Sequence, residues 1–172
     1  MKVIFLDFDG VICTSESISE ARAWFNNKEL YNIKMIDPLL VENLNKVIEK
    51  TGAKVVITSA WRYEYSLDEL IDFLEHHGFN GEVIDRTPIW KEYKNDIGIK
   101  TCNGLKRFWE HERGNEIKMW LDKHEVKTYV IIDDEISDIF SIFPDNYIRT
   151  DMENGFHKGL IKVAINKLNE EI

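Results

Sequence analysis

Two hydrophobic patterns alternate along this chain. Short, mostly apolar runs at 3–8, 54–58, 82–85, 129–132 and 146–148 predict strands, the longer ones buried on both faces. Between them, apolar positions recur at helical spacing. Asp37-Pro38 is a helix start, with Asp as N-cap and Pro in the first turn. Leu40, Leu44, Val47 and Ile48 form its buried stripe and Gly52 its end. Ser66-Leu67-Asp68-Glu69 is a capping box, followed by a stripe of Leu67, Leu70, Ile71 and Leu74 that Gly78 closes. Further helices are predicted over 19–26, over 115–124 with Ile117, Trp120 and Leu121 inward, briefly after Glu135, and at the end of the chain through Leu160, Ile161, Ala164, Ile165 and Leu168. Residues 86–112 show no clear period and are expected as the longest irregular stretch, a kind of segment that is usually functional or mobile.

Strands separated by amphipathic helices predict the α/β class: a three-layer, Rossmann-like fold with a five-stranded, mainly parallel sheet covered on both faces. The 172 residues fit one domain spanning 1–172. Neither the interval from Gly10 to Lys54 nor that from Arg62 to Arg113 is long enough for a separate lid domain of ordinary size. In such sheets, ligands bind beyond the carboxyl ends of the strands, which is where chemistry is expected.

Composition narrows the class. Hydrophobic residues at 44% and only 9 Gly and 3 Pro exclude a disordered chain. The apolar run Val3-Ile4-Phe5-Leu6 is stopped by Asp7, too short for a signal peptide or a membrane span, so no membrane partner is expected. Cys13 and Cys102 stand far apart in no metal-binding spacing, and a reducing, cytoplasmic setting is the simpler expectation. The formal charge of −9 disfavours nucleic acid over most of the surface. The 86–113 segment differs: seven basic residues among four acidic ones, interleaved with Trp90, Tyr93, Phe108 and Trp109. It reads either as a solvated loop docking its aromatics on the sheet or as a track for a nucleic-acid backbone.

The predicted strand ends carry acids and hydroxyls. The first ends in Asp7-Phe8-Asp9-Gly10, the second in Thr58-Ser59, and the fourth in Asp133-Asp134, with Asp138 one helical turn on. A lone Asp at a strand end is usually a turn residue or a cap. Several together repel one another unless a cation lies between them, and oxygen-only ligands suit Mg²⁺ with a phosphate substrate.

These residues resemble the haloacid dehalogenase (HAD) superfamily. Val3-Ile4-Phe5-Leu6-Asp7-Phe8-Asp9-Gly10-Val11 resembles its first motif, and Val55-Val56-Ile57-Thr58-Ser59 its second, with Ser59 taken as the matching hydroxyl. Arg113-Gly114-Asn115-Glu116-Ile117 resembles the third, with Lys118 as an alternative basic residue, and Val130-Ile131-Ile132-Asp133-Asp134 with Asp138 the fourth. The third position is usually Lys in that superfamily, and a cap domain of ordinary size is missing. Trp61-Arg62 and the run from Arg113 to Leu121 are similar to a small capless branch found as phosphatase modules of nucleic-acid repair proteins.

The resemblance implies a Mg²⁺-dependent phosphatase acting on phosphomonoesters through an aspartyl-phosphate. Asp7 would be the nucleophile and Asp9 the acid and base. Ser59, Thr58, Arg62 and Arg113 would hold phosphate. Asp7, the Asp9 carbonyl and Asp134 would bind the metal, with Asp133 and Asp138 behind them. Nucleic-acid 3′-phosphate ends, reached through 86–113, are one implied substrate, and a small nucleotide or sugar phosphate is another. For Arg62, a phosphate clamp competes with pairing to Glu64 or Asp68. For Trp61, a packing anchor is favoured over a substrate stack. A non-catalytic receiver-like module, with Asp85 as phospho-acceptor and Arg149 as its basic partner, stays open on sequence alone.

Overall fold

The computed structural model describes residues 1–89, 113–135 and 137–170, and the backbone alone of Glu29, Ser137 and Asp138. Its five strands are β1 (Lys2–Leu6), β2 (Lys54–Ile57), β3 (Val83–Arg86), β4 (Thr128–Asp133) and β5 (Tyr147–Arg149). All pair in parallel, in the order β3-β2-β1-β4-β5. The central β1 has helices above and below, so Val3, Ile4, Phe5 and Leu6 are all fully buried.

Alternate β1 side chains enter different cores. Ile4 and Leu6 join α3 (Pro38–Thr51), α4 (Leu67–His76) and α7 (Lys158–Asn169) through Leu44, Leu70, Leu74, Ala164 and Leu168. Val3 and Phe5 join α5 (Arg113–Leu121) and α6 (Ser137–Ile142) through Ile117, Trp120 and Ile139. The predicted three-layer α/β architecture is the one observed, and its sheet is parallel throughout.

The caps read from sequence are also present. Asp37 accepts from Leu39 N–H at 2.8 Å, Gly52 ends α3 with φ 66°, and Ser66 and Glu69 form the capping box of α4.

Several boundaries differ. β1 stops at Leu6, two residues short of the expected end, and β2 at Ile57, one residue short. In place of a helix over 19–26 the chain forms α1 (Ser15–Ala21), a 3₁₀ turn (Arg22–Trp24) and α2 (Lys28–Met35). Polar caps set these two helices: Thr14 with Ser17 begins α1, and Asn27 accepts from Leu30 N–H to begin α2. The irregular segment expected at 86–112 lies outside the described residues from 90 onward.

The sheet order removes the receiver-like alternative. Receiver sheets run 2-1-3-4-5 and place the third strand beside the first. Here β3 is an edge strand, two positions from β1. The Asp85 carboxylate is held by the Trp120 indole N–H at 2.6 Å.

Candidate active site at the carboxyl edge of the sheet

Strand register brings the chemistry together. Leu6 pairs with Ile57 on one side and Ile132 on the other, so Asp7, Thr58 and Asp133 follow at one level across three neighbouring strands. The Asp7 N–H still bonds Ile132 O at 3.1 Å, and Thr58 N–H bonds Leu6 O at 2.9 Å.

Beyond Asp7 the chain turns at once. Phe8 O accepts the N–H groups of Val11, Ile12 and Cys13 at 3.1, 2.9 and 2.9 Å. Gly10 sits in this turn at φ 67°, a left-handed conformation that favours glycine. A Cβ at Gly10 would overlap the Asp134 carboxylate. The missing side chain therefore makes the cradle in which Asp134 lies against the turn.

Asp7, Asp133 and Asp134 each offer one carboxylate oxygen, and these three atoms lie within 4.8 Å of one another. At that separation two full negative charges repel by about 3–4 kcal/mol for an effective dielectric near 20. The Arg113 guanidinium provides part of the compensation. Its Nη1 donates to Asp7 Oδ2 and to Asp133 Oδ2, both at 2.5 Å, with all three side chains buried. Arg113 is thus the basic side chain that reaches the acids, whereas Lys118 is exposed a turn further along α5.

Asp7 Oδ1 also accepts Phe8 N–H at 2.8 Å, and Asp133 Oδ1 accepts Glu135 N–H at 2.9 Å. The Tyr147 hydroxyl braces the end of β4 on the carbonyls of Asp133 and Glu135. One guanidinium among these acids leaves a negative excess. Burial, then Asp7, pushes Asp133 up to about 8 against the pull of Arg113. Burial, then Asp7, also raises Asp134. Three hard oxygen donors with excess negative charge, one of them seated where a Cβ would otherwise stand, fit a divalent cation such as Mg²⁺.

Asp9 lies on the same turn, partly buried beside the cluster. Burial, followed by the charge of Asp7, pushes its carboxyl up to about 6. The Trp61 indole N–H donates to Asp9 Oδ2 at 3.0 Å and opposes that rise. Trp61 is also a packing residue, meeting Phe8 and Phe73 edge-on at 5.3 and 6.0 Å. The packing role is the one expected for this Trp, whereas no sequence signal points to a hydrogen bond across 52 positions.

The second strand's hydroxyls divide. Ser59 caps the 3₁₀ turn (Ala60–Tyr63) by accepting from Trp61 N–H at 3.4 Å. Thr58 stands first beyond β2, and its Oγ1 is buried without a hydrogen-bond partner among the described residues.

Arg62 makes neither pairing expected within its own segment. It donates to the carbonyls of Thr58 and Ser59 and to Glu116 on α5, and its guanidinium lies over the Tyr63 ring. Glu64 pairs with Lys28 instead. Buried Arg62 thus ties the end of β2 to the helix that carries Arg113. No sequence signal links it to Glu116, 54 positions away. Asp138 lies in the first turn of α6, with its side chain outside the description.

A central β1 between β2 and β4, with the chemistry delivered where these three strands end, is the arrangement of the HAD superfamily of phosphatase-type hydrolases. Within it, the chain belongs to the family described as the HAD domain in Swiss Army Knife RNA repair proteins, whose model matches residues 3–159. Searches of curated proteins and of solved structures return no match to the chain. The family implies phosphatase-type hydrolase activity and generally uses Mg²⁺. Among the described residues, no helix is long and apolar enough to cross a membrane.

Two outcomes follow from this electrostatic arrangement in the metal-free protein. Arg113→Met strands two buried carboxylates and should lower unfolding free energy by about 3–5 kcal/mol at pH 7. Urea denaturation at pH 7 should show that deficit. Trp61→Phe removes the bond that favours ionised Asp9, so carboxyl-detected NMR titration should place the Asp9 midpoint above the wild-type value of about 6.

Proposed function

We propose that the protein is a Mg²⁺-dependent phosphatase that hydrolyses phosphomonoesters through an aspartyl-phosphate on Asp7, with phosphorylated nucleic-acid ends as substrate. The observation that carries this reading is the convergence of the Asp7, Asp133 and Asp134 oxygens within 4.8 Å, beside buried Arg113 and with Asp9 on the adjoining turn. Nucleic-acid ends are favoured by the family's description and by the net-positive 86–113 segment, most of which lies outside the described residues. The acids and Arg113 by themselves would serve a small nucleotide or sugar phosphate equally well.

In this mechanism an Asp7 carboxylate oxygen attacks phosphorus, and the bond from phosphorus to the leaving oxygen breaks. Asp9, protonated, gives its proton to that oxygen. A carboxyl near 6 is poised for this at neutral pH. Ionised Asp9 then takes a proton from water, whose oxygen attacks phosphorus. The bond between phosphorus and Asp7 breaks, releasing phosphate and restoring the carboxylate.

Arg113, whose Nε has no hydrogen-bond partner among the described residues, and the free Thr58 hydroxyl hold the phosphoryl oxygens. Ser59 shapes the turn that presents Thr58. Arg62 acts as a positioning residue, fixing β2 relative to α5. Asp7, Asp134 and the Asp9 carbonyl would hold the Mg²⁺. Asp133 orients Arg113, and Asp138 is assigned to the same outer layer. The ion supplies neutralisation of negative charge on the phosphoryl group.

Hydrolysis of a 3′-phosphorylated oligonucleotide and of glycerol 2-phosphate should be followed by released phosphate. Asp7→Asn should abolish turnover, and Asp9→Asn should reduce it by roughly 10²–10⁴-fold. Unchanged turnover in Asp9→Asn would falsify the acid–base assignment. The raised carboxyls bind protons more tightly folded than unfolded. Their burial and crowding therefore destabilise the metal-free protein as pH rises from about 4, through about 6 for Asp9 and higher still for Asp133. Mg²⁺ should accordingly raise the melting temperature, and by more at pH 8 than at pH 6. A gain that is absent or reversed in pH dependence speaks against metal binding at these acids.

A further inference from the structure

A cavity of about 550 Å³ opens directly beside Asp9. Four aromatic rings line it: Phe25 from the end of the 3₁₀ turn, Tyr31 from α2, and Trp61 and Tyr65 from the segment after β2. Asn32, buried on α2, adds a side-chain amide and donates to the Tyr65 hydroxyl.

We infer that this cavity is a nucleobase-binding subsite, which takes the base of the nucleoside released when the phosphate is cleaved. The inference deepens the phosphatase reading and rests on its assignment of Asp9 to the leaving oxygen. If Asp9 faces that oxygen, the leaving alcohol extends into the space that Asp9 borders, and this cavity is that space.

Three observations select the occupant. The volume lies within the range of small-molecule sites, roughly 300–1,000 Å³, and so exceeds what a single sugar or phenyl ring needs. Four of the ten lining residues are aromatic, which suits a planar face, and Asn32 provides the kind of edge group that reads a heterocycle. The charges disfavour a second phosphate: Lys28 at the rim is paired with Glu64 at 2.6 Å, leaving Asp9 as the remaining charged lining group. Phe25 is 72% exposed and meets Tyr31 edge-on at 5.7 Å, so one aromatic face at the mouth is available for stacking.

This places base recognition between the short α1–α2 insert and the segment after β2, beyond the sheet. It also ties recognition to chemistry through Trp61, which both walls the cavity and bonds Asp9.

The test compares kcat/KM for adenosine 3′-monophosphate, p-nitrophenyl phosphate and the ring-less glycerol 2-phosphate, and measures adenosine binding by tryptophan fluorescence. The wild type should prefer the nucleotide to both others and bind adenosine. Phe25→Ala, at an exposed position that folding does not need, and Tyr31→Ala should each cut the preference over glycerol 2-phosphate and weaken adenosine binding by roughly tenfold. No adenosine binding, a preference unchanged in both variants, or a preference for the aryl phosphate overturns the subsite. Adenosine binding that weakens in the variants, in a protein that hydrolyses none of the three esters, upholds the subsite and overturns the phosphatase reading instead.

Discussion

One guanidinium between two buried carboxylates organises this protein's edge. Arg113 stands 2.5 Å from both Asp7 and Asp133, the residues that follow Leu6 and Ile132 in adjacent strands. Parallel pairing makes this crowding unavoidable, because acids at equivalent ends of neighbouring strands arrive at the same level. Asp134, cradled on Gly10, adds a third carboxylate. A single arginine cannot balance three acids, and burial first, then the charge of Asp7, raises the Asp133 and Asp134 carboxyls. A site with this imbalance is suited to a divalent cation and to the charge of a phosphoryl group passing through it.

The surrounding structure holds that imbalance in place. Buried Arg62 joins the carbonyls after β2 to Glu116, on the helix that begins with Arg113. Tyr147 braces the end of β4 from β5. The acids are thereby fixed by the cores on both faces of the sheet, Ile4 and Leu6 on one side and Val3 and Phe5 on the other. The edge that carries the acids is thus held from both sides of the sheet.

Features of short range were legible in the sequence. The apolar strand ending in Asp7-Phe8-Asp9-Gly10, the acids after β4, and the caps at Asp37, Gly52 and Ser66 each depend on neighbours a few residues apart. What escaped depends on distance or on polar local chemistry. The Trp61–Asp9 and Arg62–Glu116 bonds join segments more than fifty positions apart, and no composition signal couples them. Helices α1 and α2 are set by Thr14, Ser17 and Asn27 with few inward apolar residues, so their periodicity is faint. Which hydroxyl stands just beyond β2 depends on a boundary that the apolar run leaves open by one residue. With Ile57 as its last residue, Ser59 caps the following turn and the Thr58 hydroxyl is buried without a partner among the described residues.

The central claim is that the acids of β1 and β4 form one divalent-cation site. A crystal of the protein grown with Mn²⁺ in place of Mg²⁺ tests it most directly through anomalous scattering. The account expects one strong peak in direct contact with oxygens of both Asp7 and Asp134. A peak bound elsewhere, or none between these side chains at saturating metal, would contradict it.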